Sequence, residues 1–254
     1  QSDSYNDLEI QSSGLSSNVE ILKGDVEKFT DFTIANTGSY GILTDQGDLT
    51  TISGNLTVGS SGKLIIQTQS KLTVSGTLTN SNSANLIIRS NGTLTGSLIS
   101  NSTGVSATIQ QYFDNGRWYI VSPPFSGIDS YDYWDGSNDA YMRPYNSPGD
   151  GWGGYYGSPA VGLNVGEGYE MWQTANFNFE ATGTLITGNQ SLSIASGGTV
   201  DANWNLIGNP YPCAIDWSQV ADKTNVDGSA FYVYNGTSYK YHNGTSGTAT
   251  NSKI

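Results

Sequence analysis

The chain repeats itself. LTVGSSGKLIIQTQSKLTVS (56–75) aligns without a gap on LTNSNSANLIIRSNGTLTGS (78–97), with nine identities in twenty positions, and leucines at 56, 64 and 72 recur at 78, 86 and 94. Each unit carries short β-favouring runs (LTV, KLII, KLTV) separated by Ser, Gly and Asn, residues that suit tight corners. Three short strands per unit make one coil of a parallel β-solenoid, and a coil buries its Leu and Ile only when the next coil stacks on it. A leucine-rich repeat has a similar period but needs an L-x-x-L-x-L-x-x-N core, which this sequence lacks. The spacing predicts a degenerate earlier coil through 32–55, and so about three coils. Thr and Ser at recurring outward positions are either solvated strand residues or ladders suited to an elongated polymer.

The composition changes where the repeat ends. Residues 1–111 hold four aromatics (Tyr5, Phe29, Phe32, Tyr40), whereas 112–254 hold 25, including all six Trp. Alternating runs over 107–113, 117–125, 168–172, 177–183, 191–195, 203–208 and 230–235 predict antiparallel strands packed as a sandwich. The run DWSQ (216–219) predicts one short helix capped by Asp216. The expected fold is therefore all-β: a short right-handed parallel β-solenoid with an N-terminal cap over 1–106, then an aromatic-rich antiparallel β-sandwich over 107–254.

Several function classes are excluded by what the chain lacks. A formal charge of −12 is wrong for a reader of nucleic-acid phosphates, whose affinity rests on clustered cations. One Cys (Cys213) and one His (His242) cannot build a disulfide framework or a structural zinc site within the chain. No apolar run approaches the roughly 18 residues of a membrane-spanning helix. Little Cys, abundant Ser, Thr, Asn and Gly, and an acidic balance fit an exported bacterial protein, placed outside the cell or on its outer surface.

Five motifs in order, ATIQQYFDNGRWYIVSPPFSG (107–127), VGEGYEMW (165–172), ATGTLITGNQSLSI (181–194), NWNLIGNPYPCAIDW (203–217) and AFYVYNGTSYKYHNG (230–244), carry a family resemblance. Together with the upstream repeat they resemble a β-rich module recurrent in secreted and surface proteins of Bacteroidota, the kind that carries a C-terminal sorting domain for type IX secretion. The resemblance spans roughly residues 50–254, and the GNPYPCAIDW run is its most specific part. In that family the last segment continues into a further strand, whereas this sequence stops at Ile254. A sandwich lacking its final strand would offer an open edge to another chain, and a homopolymer built by strand pairing is the expectation this carries.

Two constellations are candidates for binding. Asp129, Asp132, Asp135 and Asp139 fall within GIDSYDYWDGSND (127–139), where a loop of oxygens either holds calcium or is simply a solvated acidic loop. Tyr131, Tyr133, Trp134, Trp152, Tyr155 and Tyr156 lie among Asp, Asn and Gly in irregular segments. Flat rings beside hydrogen-bonding groups are what sugars stack upon, although such rings can equally pack down as a lid. The Gly-rich GDGWGGYYG (149–157) is no phosphate loop, since no Gly-Lys-Ser/Thr follows.

Catalytic readings are weaker. Glu167 and Glu170 are not placed by spacing across one cleft, as a glycosidase requires, and Glu167 reads as a surface turn residue. His242 reads as an exposed imidazole among turn residues, and Cys213 as a small buried hydrophobe. A lyase with a Tyr base and Arg117 or Arg143 as charge neutraliser has no spacing to support it. The expected role is a non-catalytic extracellular structural or adhesive module, with no required cofactor besides calcium in the acidic loop. Its partner would be a surface glycan or another protein chain. The competing expectation is a carbohydrate-binding accessory module of a secreted polysaccharide-degrading enzyme.

Overall fold

The computed structural model describes residues 5–12, 14–21, 29–44, 46–47, 49–92, 94–134, 141–146, 151–195, 203–234 and 238–249. Eleven short strands wind first: β1 (Tyr5–Gln11), β2 (Val19–Ile21), β3 (Phe29–Asn36), β4 (Ile42–Thr44), β5 (Leu49–Ile52), β6 (Leu56–Ser61), β7 (Leu64–Ile66), β8 (Lys71–Val74), β9 (Leu78–Thr79), β10 (Leu86–Ile88) and β11 (Ser97–Ile99). They form three parallel faces, ordered β1-β3-β6-β9, β2-β4-β7-β10 and β5-β8-β11, which is a β-solenoid of about four turns. The turn beyond the expected three is the N-terminal one: Leu8 lies in register with Phe32 and, through it, Leu56, but Val19 and Ile42 replace the leucine of the second column, so the leucine period is broken there.

Stacking explains the repeat. Leu56 pairs with Leu78 on one face and Leu64 with Leu86 on another, so an apolar column runs through successive coils on each of the two faces, and all four side chains are buried. A corner is stitched in the same way. The Asn55 amide N–H donates to Asp31 Oδ1 at 2.6 Å, and the Thr77 N–H donates to Asn55 Oδ1 at 2.8 Å. Gly54 and Gly76 sit at this corner because a Cβ there would run into the backbone of the coil below. The third column departs from the period: Leu72 pairs with Leu98, not Leu94. An excursion is closed by a Ser90–Thr95 bridge and by the Leu94 N–H on Asn91 Oδ1 at 3.0 Å, and Leu94 is exposed.

No linker separates the two halves. Strand β12 (Ser106–Phe113) lies parallel to β10 on one side and antiparallel to β16 (Phe177–Thr184) on the other, so the solenoid sheet runs straight into the antiparallel part. A three-stranded antiparallel sheet follows, ordered β13 (Arg117–Val121), β15 (Tyr169–Gln173) and β14 (Tyr141–Pro144). Its inner face packs on β12 and β16 through Phe113, Tyr119, Tyr133 and Phe179, with Phe113 and Tyr119 edge-on at 5.0 Å. A hairpin of β17 (Phe231–Tyr234) and β18 (Tyr239–His242) completes the fold.

The expected strands at 191–195 and 203–208 form no extended ladder; 203–208 makes a single antiparallel bridge, Ile207 to Glu167, and 191–195 makes none among the described residues. The Asn205 amide clamps them instead, its Oδ1 accepting from the Ala195 N–H and its Nδ2 donating to the Ala195 carbonyl, both at 3.0 Å. The predicted helix is a single 3₁₀ turn, Trp217–Gln219, with Asp216 capping the Ser218 N–H as expected. His242 departs from its expectation. It is buried, packs near Phe231, and its Nδ1 accepts from the Gly244 N–H at 2.9 Å, because it ends a strand on the hairpin's inward face.

Candidate functional site

Strand alternation turns every second residue of β13, β15 and β14 outward. Register then lines these residues up in two rows across the sheet: Trp118, Trp172 and Tyr141 in one, Ile120, Glu170 and Arg143 in the other. The intervening Tyr119, Met171 and Met142 face the core. Trp118, Ile120 and Tyr141 are exposed, an uncommon fate for such side chains on a strand.

The loop after β14 folds back over this face. Trp152 bridges Tyr145 by backbone and meets its ring edge-on at 5.4 Å. Tyr155 stacks nearly parallel to Trp118, 6.4 Å between centroids and 13° between planes, and remains exposed.

Arg143 sits at the centre. Its guanidinium carbon lies 5.6 Å from the Trp118 ring centre, 5.2 Å from Trp152 and 4.8 Å from Tyr155. Its Nε donates to Glu170 Oε2 on the neighbouring strand. A cation held between rings and a carboxylate keeps those rings at fixed angles. Beside it Trp118, Ile120, Trp152 and Glu170, with Tyr234 and Tyr239 from the hairpin, line a depression of about 120 Å³.

The predicted aromatic residues part company. Trp152 and Tyr155 belong to this shelf. Tyr131 and Trp134 pair edge-on with each other at 4.9 Å. Tyr156 is half-buried, its N–H on the Met142 carbonyl at 2.7 Å, and burial raises its phenol pKa. Tyr133 corrects the expectation outright. It has no exposed surface, stacks on Phe179 at 4.3 Å, and its hydroxyl donates to the Ser122 carbonyl at 3.2 Å, so no ring face is left for a ligand. Burial pushes its phenol well above the ordinary tyrosine range, and Tyr169 behaves likewise.

Of the acidic loop, Asp135 and Asp139 lie outside the described residues. Asp129 and Asp132 cap each other's turn: Asp129 Oδ1 accepts from the Tyr131 N–H at 2.7 Å, and Asp132 Oδ2 from the Asp129 N–H at 2.8 Å. Among the described residues no group of three or more His, Cys, Asp or Glu gathers to hold a metal ion. Glu167 is an exposed turn residue, as expected, accepting from the Tyr169 hydroxyl at 3.0 Å and Asn164 Nδ2 at 3.1 Å. Arg117 is also exposed, 3.4 Å from Asp114. Cys213 is half-buried, which pushes its thiol pKa up.

Trp118, Tyr141, Trp172, Tyr234 and Tyr239 were not among the predicted ligand residues. The signal was present as the alternation in RWYIV (117–121) and YEMWQ (169–173), which sends Trp118 and Trp172 to the same face once the two strands pair. No helix of the described residues is long and apolar enough to cross a membrane. A family model described as Domain of unknown function (DUF8693) matches residues 27–251. No curated protein and no solved structure matches the chain.

Proposed function

We propose that this chain, which belongs to the family described as Domain of unknown function (DUF8693), is a non-catalytic extracellular adhesive module that holds a carbohydrate chain on the outer face of the β13–β15–β14 sheet. The observation that carries this reading is the set of exposed rings, Trp118 and Tyr155 held by Arg143 and Tyr141 edge-on to Tyr155 at 5.7 Å, on the outer face of paired strands. Flat rings with polar tips match the C–H face and hydroxyl rim of a sugar. A shelf built on paired strands is already ordered, so binding costs little further entropy. The carboxylate that lines the depression supports binding rather than turnover, because Glu170 is engaged by Arg143. Composition and the Bacteroidota resemblance support a place on the cell surface.

The experiment is a polysaccharide array probed with the purified chain, with calcium and with chelator, while reducing-sugar release is followed. Saturable binding without release, abolished by Trp118→Ala, is the expected result. Loss under chelation shows that binding needs a divalent cation, and sugar release overturns the non-catalytic reading.

A second reading, self-association by strand pairing, is favoured by Ser191–Ala195. This segment runs without a strand partner among the described residues, and Leu192 and Ile194 are exposed. Sedimentation at rising concentration tests it: a strict monomer removes it.

A further inference from the structure

The exposed rings do not end at the shelf. On the hairpin, period-two alternation puts Tyr232, Tyr234, Tyr239 and Tyr241 on one face, while Phe231 and His242 turn inward and are buried. Register sets these four as two cross-strand pairs, Tyr232 with Tyr241 at 5.9 Å and Tyr234 with Tyr239 at 5.3 Å between centroids. All four are exposed, Tyr239 to 65%. The pair of Tyr234 and Tyr239 lines the same depression as Trp118. Beyond the other pair stands Trp204, half exposed, edge-on to Tyr232 at 4.9 Å. The two tyrosine pairs are about 7 Å apart along the strands, so the rings form a track leading away from the shelf rather than a pocket.

The geometry points to a linear, uncharged polysaccharide as the ligand, bound along its length from Trp118, over the hairpin tyrosines, to Trp204. This rests on the carbohydrate reading of the shelf and adds the class and the extent of the ligand. Three features carry it. Successive rings continue in one direction along the strands, about 7 Å from one tyrosine pair to the next, which suits a repeating chain better than a single terminal sugar. Tyrosines keep their hydroxyls at the rim, where a sugar's equatorial hydroxyls can be met. Charge decides between neutral and acidic polymers: the chain carries a formal −12, and the shelf's Arg143 is neutralised by Glu170, so a polyanion meets repulsion with no free cation among the track's described residues. A contiguous exposed aromatic surface of this extent marks an interaction site.

The test is affinity electrophoresis and calorimetry of the full chain against hydroxyethylcellulose, arabinoxylan, glucomannan, polygalacturonate and alginate, followed by oligosaccharides of increasing length from the best binder. The expected result is binding to an uncharged polymer, with affinity rising with oligomer length. Tyr232→Ala should weaken polymer binding about tenfold and the shortest oligomer less than about twofold, while Tyr239→Phe, which keeps the ring but removes the hydroxyl, should weaken polymer binding by less than Tyr239→Ala does. Thermal melts confirm that the variants stay folded. Polyanion preference, or affinity that stops rising at the shortest oligomer, overturns the proposal. Binding lost by Trp118→Ala but indifferent to Tyr232→Ala overturns the track and leaves the shelf standing. No binding to any polymer overturns both.

Discussion

Replacing Arg143 by Met removes the cation from a cluster in which three rings and one carboxylate were arranged around it. The side chains of Arg143 and Glu170 are 24% and 13% exposed, so the pair is largely but not fully desolvated. Breaking a fully buried pair costs about 3–5 kcal/mol, because the surviving charge stays out of water without a partner. Partial access to water discounts this to about 2–3 kcal/mol. The lost cation contacts to Trp118, Trp152 and Tyr155 add roughly 1 kcal/mol, since the Met side chain keeps part of the packing. Arg143→Met should therefore destabilise the chain by about 3–4 kcal/mol. Adding Glu170→Leu removes the stranded carboxylate, and the double variant should recover about 2 kcal/mol of that loss. Urea unfolding of the parent, both single variants and the double variant measures the coupling. Additivity to within about 0.5 kcal/mol would refute the claim that the two side chains act as one unit.

Three further outcomes follow from the same structure. Burial raises the Tyr133 and Tyr169 phenols, so the folded chain keeps protons that the unfolded chain releases. The part of the stability these two phenols carry should be constant below about pH 10 and fall above it by up to about 1.4 kcal/mol per pH unit for each phenol; Tyr133→Phe should lessen that alkaline slope, as urea midpoints from neutral to alkaline pH will show. At Gly76 an added Cβ would lie 2.5 Å from the Gly54 carbonyl carbon of the coil below, so Gly76→Ala should cost about 2–3 kcal/mol in urea melts. Gly162→Ala, with nothing within 4 Å, should stay within about 0.5 kcal/mol. Half-buried Cys213, its thiol pKa raised by burial, should react slowly with a thiol reagent near pH 8 in the folded chain and fully in urea.

The solenoid was legible because its signal is columnar. Leu56 over Leu78 and Leu64 over Leu86 are neighbours in space for the same reason that they recur in the chain. The rule failed at Leu72, where the excursion closed by the Ser90–Thr95 bridge inserts residues without changing the apparent period, and no reading of leucines alone distinguishes Leu94 from Leu98. The cap at Asp216 was readable because it is local.

The shelf was only half legible, because its rings come from β13, β15, the loop after β14 and the terminal hairpin. Ring density between 131 and 156 pointed to Trp152 and Tyr155, but it also drew in Tyr133, which lies under the sheet. What separates Tyr133 from Tyr155 is tertiary packing against Phe179, and composition carries no trace of that. His242 was misplaced for a related reason: a turn-like sequence context hid a strand position that faces inward.

The most direct measurement of the central claim uses the six tryptophans as reporters. Their indole N–H resonances, assigned by single Trp→Phe variants, can be followed while the best-binding polysaccharide's oligomer is titrated in. The account predicts saturating shifts at Trp118 and Trp152 on the shelf. It predicts none at Trp217, which is buried with its N–H on the Ser229 carbonyl at 2.7 Å, and none at Trp134. Shifts at Trp134 with Trp118 and Trp152 unmoved would contradict it, returning the binding site to the loop and leaving the sheet face without the role assigned to it.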